Sequence, residues 1–558
     1  MSVATVAEAI ARGLAAAGVE RVYGIIGTSI VDFLDALYDH RDRIDFVTTR
    51  HEQVAVSAAD AEYRVTRRLA AAAVHAGPGF LNTAISLGIA FKDRVPLLLV
   101  SGGVRRRLRG LDAWLEVDQA SIARPLAKYY GVVESPGEVL DTLAEALRSA
   151  LSPPMGPAVV EVPEDLWRSN ASISEEALKR IPRTPVAGPG LGGHGKTLFS
   201  MLMEAKRPVI LASGELVYNP WFSQERLLRL AEATGAYIVV SGNGRGACPE
   251  DHPRCLGRIG FGGGSLAADR AFESSDMVLV LGHEFDDITT YGYNMLPQGD
   301  VVMISQDPST KARPRYYDLV NASPVRALEE LSEMAGGARR LEEWERMVAG
   351  FRREWGVMLD EAVRRSTRLA NPDRFFRLLN SRMPRGRIVS GGQGTHILYA
   401  YNHIRIYRPG GFLAATNLGA MGYALPAVIG SSKALPGDYH LCVAGDGELM
   451  MTVQDIETIV REGLDVKIVL VNDDSYKVLY LRQVLQKGGR VYETLLSNPD
   501  FSRLAEAFGV RYAKVSRPGD EGGALEVLSS PGPALVEVKV DRDDIPPLNL
   551  DYTLRMSM

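Results

Sequence analysis

The sequence predicts an α/β protein made of three doubly wound parallel-sheet domains. Three observations carry that prediction. Short, β-branched apolar runs alternate with amphipathic helical patterns along most of the chain, as in parallel sheets covered by helices on both faces. At 558 residues the chain is too long for one hydrophobic core. Its first segment and its last also close on nearly the same strand, Gly156-Pro-Ala-Val-Val-Glu-Val162 and Gly532-Pro-Ala-Leu-Val-Glu-Val538. The terminal domains therefore read as relatives, with another α/β unit between them.

The elements follow in order. In residues 1–168, strands are expected at Val22–Gly27, Phe46–Thr49, Ala70–Val74 and Pro96–Val100. The second ends at Arg50-His51-Glu52-Gln53, which enters an Ala-rich helix; the third ends at Gly77-Pro78-Gly79, ahead of a helix from Asn82. The Pro/Gly-rich stretch 182–195 reads as a linker. Middle strands are expected at Val209–Leu211, Tyr237–Val240, Met277–Leu281 and Val301–Ile304, before a charged helical connector, Leu341–Arg368. The expected domains are 1–168, 190–336 and 369–545.

The richest stretch lies in the last of these. A strand, Leu441–Ala444, delivers Gly445-Asp446-Gly447 at its carboxyl end. A helical pattern follows, apolar at Val453, Ile456, Ile459 and Val460 and stopped by Gly463. The next strand, Val466–Val471, is apolar enough to be buried on both faces and ends in Asn472-Asp473-Asp474. Strand, helix and strand form a βαβ unit, so both acidic ends emerge on one sheet edge, where open α/β sheets bind ligands. Asp446 and Asp473 are thus candidates to share a hard cation with a main-chain carbonyl, and the glycines permit close approach of a phosphate.

Gly-Asp-Gly followed at this interval by Asn-Asp resembles the thiamine-diphosphate signature of the acetolactate synthase and pyruvate decarboxylase superfamily. The likeness extends over the chain through Arg50-His51-Glu52-Gln53, Ala76-Gly77-Pro78-Gly79 with Asn82, Phe285-Asp286-Asp287, and Leu418-Gly419-Ala420-Met421-Gly422 followed by Leu425-Pro426-Ala427. It implies pyrimidine-binding, central and diphosphate-binding domains, in that order. It also implies that Asp446, Asp473 and the carbonyl of Ser475 bind Mg²⁺, with Gly445, Gly447, Gly394 and Thr395 at the diphosphate. Asp473 replaces the more usual Asn, and Glu448 stands where a small or hydroxyl residue is common. Glu52 takes the position of the acid that protonates the cofactor's pyrimidine ring. Met421 matches the apolar wedge that holds the cofactor bent, and the Gly419 carbonyl would accept from its exocyclic amine.

The implied activity is decarboxylation of a 2-oxo acid such as pyruvate and ligation to a second carbonyl, as in an acetolactate synthase of branched-chain amino acid biosynthesis. A 2-hydroxyacyl-CoA lyase, an oxalyl-CoA decarboxylase-like enzyme or a simple 2-oxo acid decarboxylase is the alternative, and a non-catalytic paralogue the remote one. Arg482 stands where the synthases usually carry Trp, and Leu115 replaces a common Gln. Arg482, Thr28 and Phe91 are the substrate-facing candidates. FAD is a candidate ligand of the central domain, although Gly282-His283-Glu284 lacks the Arg usual before Phe285. In this family one subunit's pyrimidine domain faces another's diphosphate domain, which implies a homodimer or homotetramer; a regulatory subunit is a further candidate partner.

Composition is that of a globular enzyme, 46% apolar and 23% charged, and the net charge of −5 excludes an electrostatic case for nucleic acid. No apolar run reaches membrane-spanning length, and the amphipathic start (Val6, Ile10, Leu14, with Glu8) is unlike a signal peptide. Of the three cysteines, Cys248 and Cys255 are expected in a loop and Cys442 in a strand, all reduced, as in a cytoplasmic protein.

Overall fold

The structure is a computed structural model of the chain and describes residues 2–314, 316–549 and 552–553. It comprises two compact units. The first holds residues 1–186, 417–436 and 452–464; the second holds 187–416, 437–451 and 465–558.

The strands of the first unit are β1 (Ser2–Thr5), β2 (Arg21–Gly24), β3 (Asp45–Thr48), β4 (Ala71–Val74), β5 (Leu98–Gly103), β6 (Tyr129–Val132), β7 (Ala158–Pro163) and β8 (Asn170–Ile173). Six of them make one parallel sheet in the order β3-β2-β4-β5-β7-β6, while β1 pairs antiparallel with β8. The Ala-rich β4 is buried throughout, which suits a central strand covered on both faces. The helix Glu52–Thr66 is buried over nearly its whole length, because a second apolar helix, Ala424–Ala434, packs along it. The two approach so closely that a Cβ at Gly430 would overlap the Ala58 carbonyl. Arg64 is fully buried between Asp60 (2.7 Å) and Asp93 (2.9 Å), so the charges inside this packing are paired.

The second unit contains two sheets. The first is built from β9 (Pro208–Ala212), β10 (Tyr237–Val240), β11 (Cys255–Arg258), β12 (Met277–Leu281), β13 (Asp300–Ile304) and β14 (Asp318–Val320), in the order β11-β10-β9-β12-β13-β14. The second uses β15 (Ile388–Gly391), β16 (Phe412–Leu413), β17 (His440–Gly445), β18 (Val466–Asn472), β19 (Arg511–Val515) and β20 (Ala534–Lys539), in the order β16-β15-β17-β18-β20-β19. All pairings within both sheets are parallel.

The sequence echo is a topological repeat. Numbered within its own sheet, each terminal sheet has the same strand order, and the echoing strands β7 and β20 both lie fifth. A shared detail lies beside them: Tyr130 on β6 donates its hydroxyl to Glu161, and Tyr512 on β19 donates to Glu537. The two tyrosines hold equivalent registers, opposite Val159 and Leu535. Each gives a carboxylate on a buried strand a partner.

Several expectations need correction. Cys248 and Cys255 are not reduced loop residues; they are joined as a disulfide, and Cys255 begins β11. The return of the chain onto β10 brings their Cα atoms to 6.1 Å, within bridging reach. Cys442 is buried in β17, where it was expected, with a free thiol. The helix after Gly447 is broken into a turn at Asp446–Leu449, a 3₁₀ turn at Val453–Asp455 and a helix at Ile456–Arg461. Ile456 and Ile459 are buried, but Val460, one step further round, is 39% exposed. β2 stops at Gly24 and β5 runs on to Gly103.

Gly430→Ala should lower the stability of the first unit by about 1–3 kcal/mol, the usual cost of overpacking a tight helix contact. The check is the midpoint of its unfolding transition in a denaturant series.

Candidate active site

In the second unit, β17 and β18 are adjacent and parallel, with Gly445 opposite Val471. Asp446 and Asp473 therefore leave neighbouring strand ends, and both are buried, at 2% and 6% exposure. Burial, and next the neighbouring Asp473, pushes the Asp446 carboxyl up to about 6. Burial also raises Asp473, an effect opposed by the buried ammonium of Lys477 and by Ser475. Asn498 donates from Nδ2 to Asp446 Oδ2 (2.6 Å) and to Asp474 Oδ1 (3.1 Å), and Ser475 Oγ donates to Asp473 Oδ1 (2.6 Å). Among the described residues no group of three or more His, Cys, Asp or Glu is placed to hold a metal ion. A cation here would draw its remaining oxygens from the main chain and from a ligand, which is the shell a hard cation takes beside a phosphate.

The glycine-rich turn after β15 lies against the same place. Thr395 starts the helix Thr395–His403 and Gly394 precedes it. His396 spans the gap: its Nδ1 would lie 2.8 Å from a Cβ at Gly394 and 2.7 Å from one at Gly445. On its other side Nε2 contacts Glu448 Oε2 at 2.9 Å, off the direction of an ideal hydrogen bond. The Glu448 carboxylate fills the space that any side chain at Gly392 would need. Neither His396 nor Asn498 stood out in the sequence, because each acts on a residue more than fifty positions away. Arg482 sits on the exposed side of the helix Lys477–Gln486 and donates to Gln486 (3.1 Å).

The first unit holds the other candidates. Glu52 is the first residue of its helix, and Asn82 donates from Nδ2 to its Oε2 at 2.9 Å. The preceding strand end is held by Asp455, whose Oδ1 accepts from the Arg50 amide at 2.8 Å. A Cβ at Gly79 would lie 3.3 Å from Glu52 Oε1 and 3.1 Å from the Cβ of His75. His75 is thus Glu52's neighbour across Gly79, and the sequence reading missed it. Ser29 donates to His75 Nδ1 from its amide (3.3 Å) and lies with Oγ 2.9 Å away, while that Oγ accepts from the Ala76 amide. An amide pointing at Nδ1 requires it to be an acceptor, so the neutral ring carries its hydrogen on Nε2. Burial lowers the imidazole's pKa, against the opposing charges of Glu52 and Glu164. Thr28 is exposed at the start of a 3₁₀ turn, and Phe91 lies half-buried under the Arg94 guanidinium. Gly419 (φ +69°) and Met421 also belong to this unit, both at least partly accessible.

Three family descriptions match the chain in order. They are the thiamine pyrophosphate enzyme N-terminal TPP binding domain over residues 4–122, the central domain over 196–327, and the C-terminal TPP binding domain over 392–538. The chain belongs to the thiamine pyrophosphate enzymes. Among relatives of this enzyme, the acetolactate synthase of Mycobacterium bovis is 30% identical over 92% of this chain and 84% of its own. The large subunit of acetolactate synthase isozyme 2 of Escherichia coli is 30% identical over 96% and 95%. A probable acetolactate synthase large subunit of Methanocaldococcus jannaschii is 28% identical over 97% and 93%. This thiamine pyrophosphate enzyme is therefore acetolactate synthase-like along nearly its whole length. No helix among its described residues is long and apolar enough to cross a membrane.

Ser29→Ala should raise the pKa of His75, since it removes a hydroxyl that favours the neutral ring. Histidine ¹⁵N resonances followed through a pH titration are the check, and the variant's Nδ1 should stay pyridine-like in the neutral ring, because the Ser29 amide that points at it is retained.

Proposed function

We propose that this enzyme decarboxylates a 2-oxo acid of the pyruvate type and joins the remaining unit to a second carbonyl, as an acetolactate synthase does in branched-chain amino acid biosynthesis. The observation that carries the reading is the pair of buried carboxylates, Asp446 and Asp473, on adjacent strand ends, in a chain with thiamine pyrophosphate domains at both ends.

The residues present fit thiamine diphosphate with Mg²⁺. Asp446, Asp473 and the Ser475 carbonyl would hold the cation, and its charge would offset the burial and the neighbouring Asp473 that together raise Asp446. Gly394, Thr395, Gly445 and Gly447 would take the diphosphate, while Gly419 and Met421 would take the aminopyrimidine. Thiamine diphosphate, when bound, supplies the carbanion chemistry. The chain's part is position and proton control. Glu52 would hold a proton at Oε1 against the pyrimidine ring nitrogen, with Oε2 fixed by Asn82. Thr28, Phe91 and Arg482 would face substrate, Arg482 offering a carboxylate a two-point contact. The segments 1–168, 190–336 and 369–545 are then the pyrimidine, central and diphosphate domains of a cytoplasmic homo-oligomer with active sites between subunits. The relatives named as large subunits add a regulatory subunit to the proposed partners.

Product analysis after feeding pyruvate, with and without 2-oxobutyrate, tests the reading. Acetohydroxy acids are expected; release of aldehyde and CO₂ alone would make the enzyme a simple decarboxylase. Glu52→Gln should leave cofactor binding nearly unchanged but slow exchange of the thiazolium proton roughly 10²–10⁴-fold. Exchange at the wild-type rate would remove Glu52 from its role.

Asp473→Asn should retain cofactor binding with Mg²⁺, because its carbonyl still reaches the ion, whereas Asp473→Ala and Asp446→Ala should lose much of it. A Mg²⁺ titration of cofactor binding for the three variants decides this. Wild-type binding by Asp473→Ala would show that Asp473 is not a ligand.

A further inference from the structure

The sheet β11-β10-β9-β12-β13-β14 has the strand order of a dinucleotide-binding fold. The chain leaves β9 toward β10 and reaches β12, on the other side of β9, only after β11. Its switch point is therefore the carboxyl end of the β9–β12 pair, where such a fold receives a nucleotide diphosphate on main-chain amides. The family resemblance makes FAD the candidate ligand of this domain, so the residues at that point decide whether it fits.

They are already engaged with one another. Glu284, just past β12, is 1% exposed. Its Oε2 accepts from the amide of Gly214, just past β9, at 2.8 Å, and from the hydroxyl of Ser241, just past β10. Its Oε1 accepts from Asn243 Nδ2 at 2.9 Å. The carboxylate thus uses the amide and hydroxyl that a phosphate would need. It also stands where the resemblance expects an Arg, so the local charge is reversed. The space is closed as well: a Cβ at Gly282 would overlap Ser213 Oγ, and one at Gly214 would lie 2.7 Å from the Cβ of Asn243. Beside them the buried His283 sits 3.5 Å from Glu215, adding a second carboxylate to the same strand ends.

We infer that Glu284 occupies, from within the chain, the place at the β9–β12 switch point that a nucleotide diphosphate would take, and that this enzyme binds no flavin dinucleotide there. A phosphate brought to the Gly214 amide would meet a buried negative charge and would have to displace three hydrogen bonds. Glu284 is then the residue that separates this chain from a flavin-binding relative of the same fold, whatever its substrates prove to be.

The test uses the full chain loaded with thiamine diphosphate and Mg²⁺, titrated with FAD and separately with ADP. Flavin fluorescence, calorimetry and the shift of the unfolding midpoint are the readouts. No saturable binding is expected up to about 1 mM, an affinity of about −4 kcal/mol, and no rise in midpoint. A flavin absorbance band in the purified protein, or a dissociation constant for either ligand below about 100 μM, would overturn the inference. Glu284→Ala, confirmed folded by circular dichroism, should bind ADP at least about tenfold more tightly than wild type. Unchanged affinity in that variant would show that Glu284 is not what closes the crevice. If Glu284→Ala does not fold, the wild-type titrations still decide. Failure of the carboligation assay would leave these binding results intact, so the two readings fail separately.

Discussion

Two carboxylates buried at the ends of adjacent parallel strands are the constraint on which the second unit depends. Asp446 and Asp473 cannot both be ionised there without a nearby positive charge, and their surroundings are arranged around that problem. Asn498 places an amide on Asp446, Ser475 places a hydroxyl on Asp473, and Lys477 brings a buried ammonium near the second carboxylate. These neighbours offset only part of the cost, since burial first and the neighbouring Asp473 next still raise the Asp446 carboxyl to about 6. In the proposed reading a divalent cation would lower both groups together.

The same geometry explains why the fold is made of repeated sheets. A βαβ unit sends two strand ends to one edge, and the strand order of the terminal sheets puts the acidic pair on their third and fourth chain-order strands, β17 and β18. The first sheet keeps that order but carries different chemistry on it. Its β4 ends at His75 and Gly77-Pro78-Gly79, beside Glu52 and Asn82. One topology thus presents a pair of buried carboxylates in one unit and a helix-initial carboxylate, bonded by Asn82, in the other. The fold itself is neutral about which.

Much of this was legible in the sequence because it is local. The apolar runs at Tyr237–Val240 and Met277–Leu281 are strands with those bounds, and the Gly-Pro-Ala-x-Val-Glu-Val echo marks equivalent strands. What was hidden depends on contacts between distant segments. Nothing near Cys248 announces that the chain returns through β11 to set Cys255 against it. Tyr130 and Tyr512 lie in dissimilar local sequences, Tyr-Tyr-Gly and Arg-Tyr-Ala, and become equivalent only through register. Val460 fitted an apolar stripe, but the helix that carries it, Ile456–Arg461, buries Ile456 and Ile459 and leaves Val460 exposed.

The candidate site shows a second reason why sequence reasoning stops short. Its glycines announce close approach but not what approaches. At Gly445 the intruder is the ring of His396, at Gly392 the carboxylate of Glu448, and at Gly79 the pair His75 and Glu52. In each case a side chain with chemistry occupies the volume a Cβ would have taken. A glycine-rich turn read alone suggests room for a phosphate, but a Cβ at Gly394 would lie 2.8 Å from His396 Nδ1 and one at Gly447 would lie 2.6 Å from the Tyr476 ring. At the β9–β12 switch point the same kind of turn is already filled, by Ser213 against Gly282 and by Glu284 on the Gly214 amide. Glycine therefore specifies a cavity only when no other residue of the chain has been folded into it.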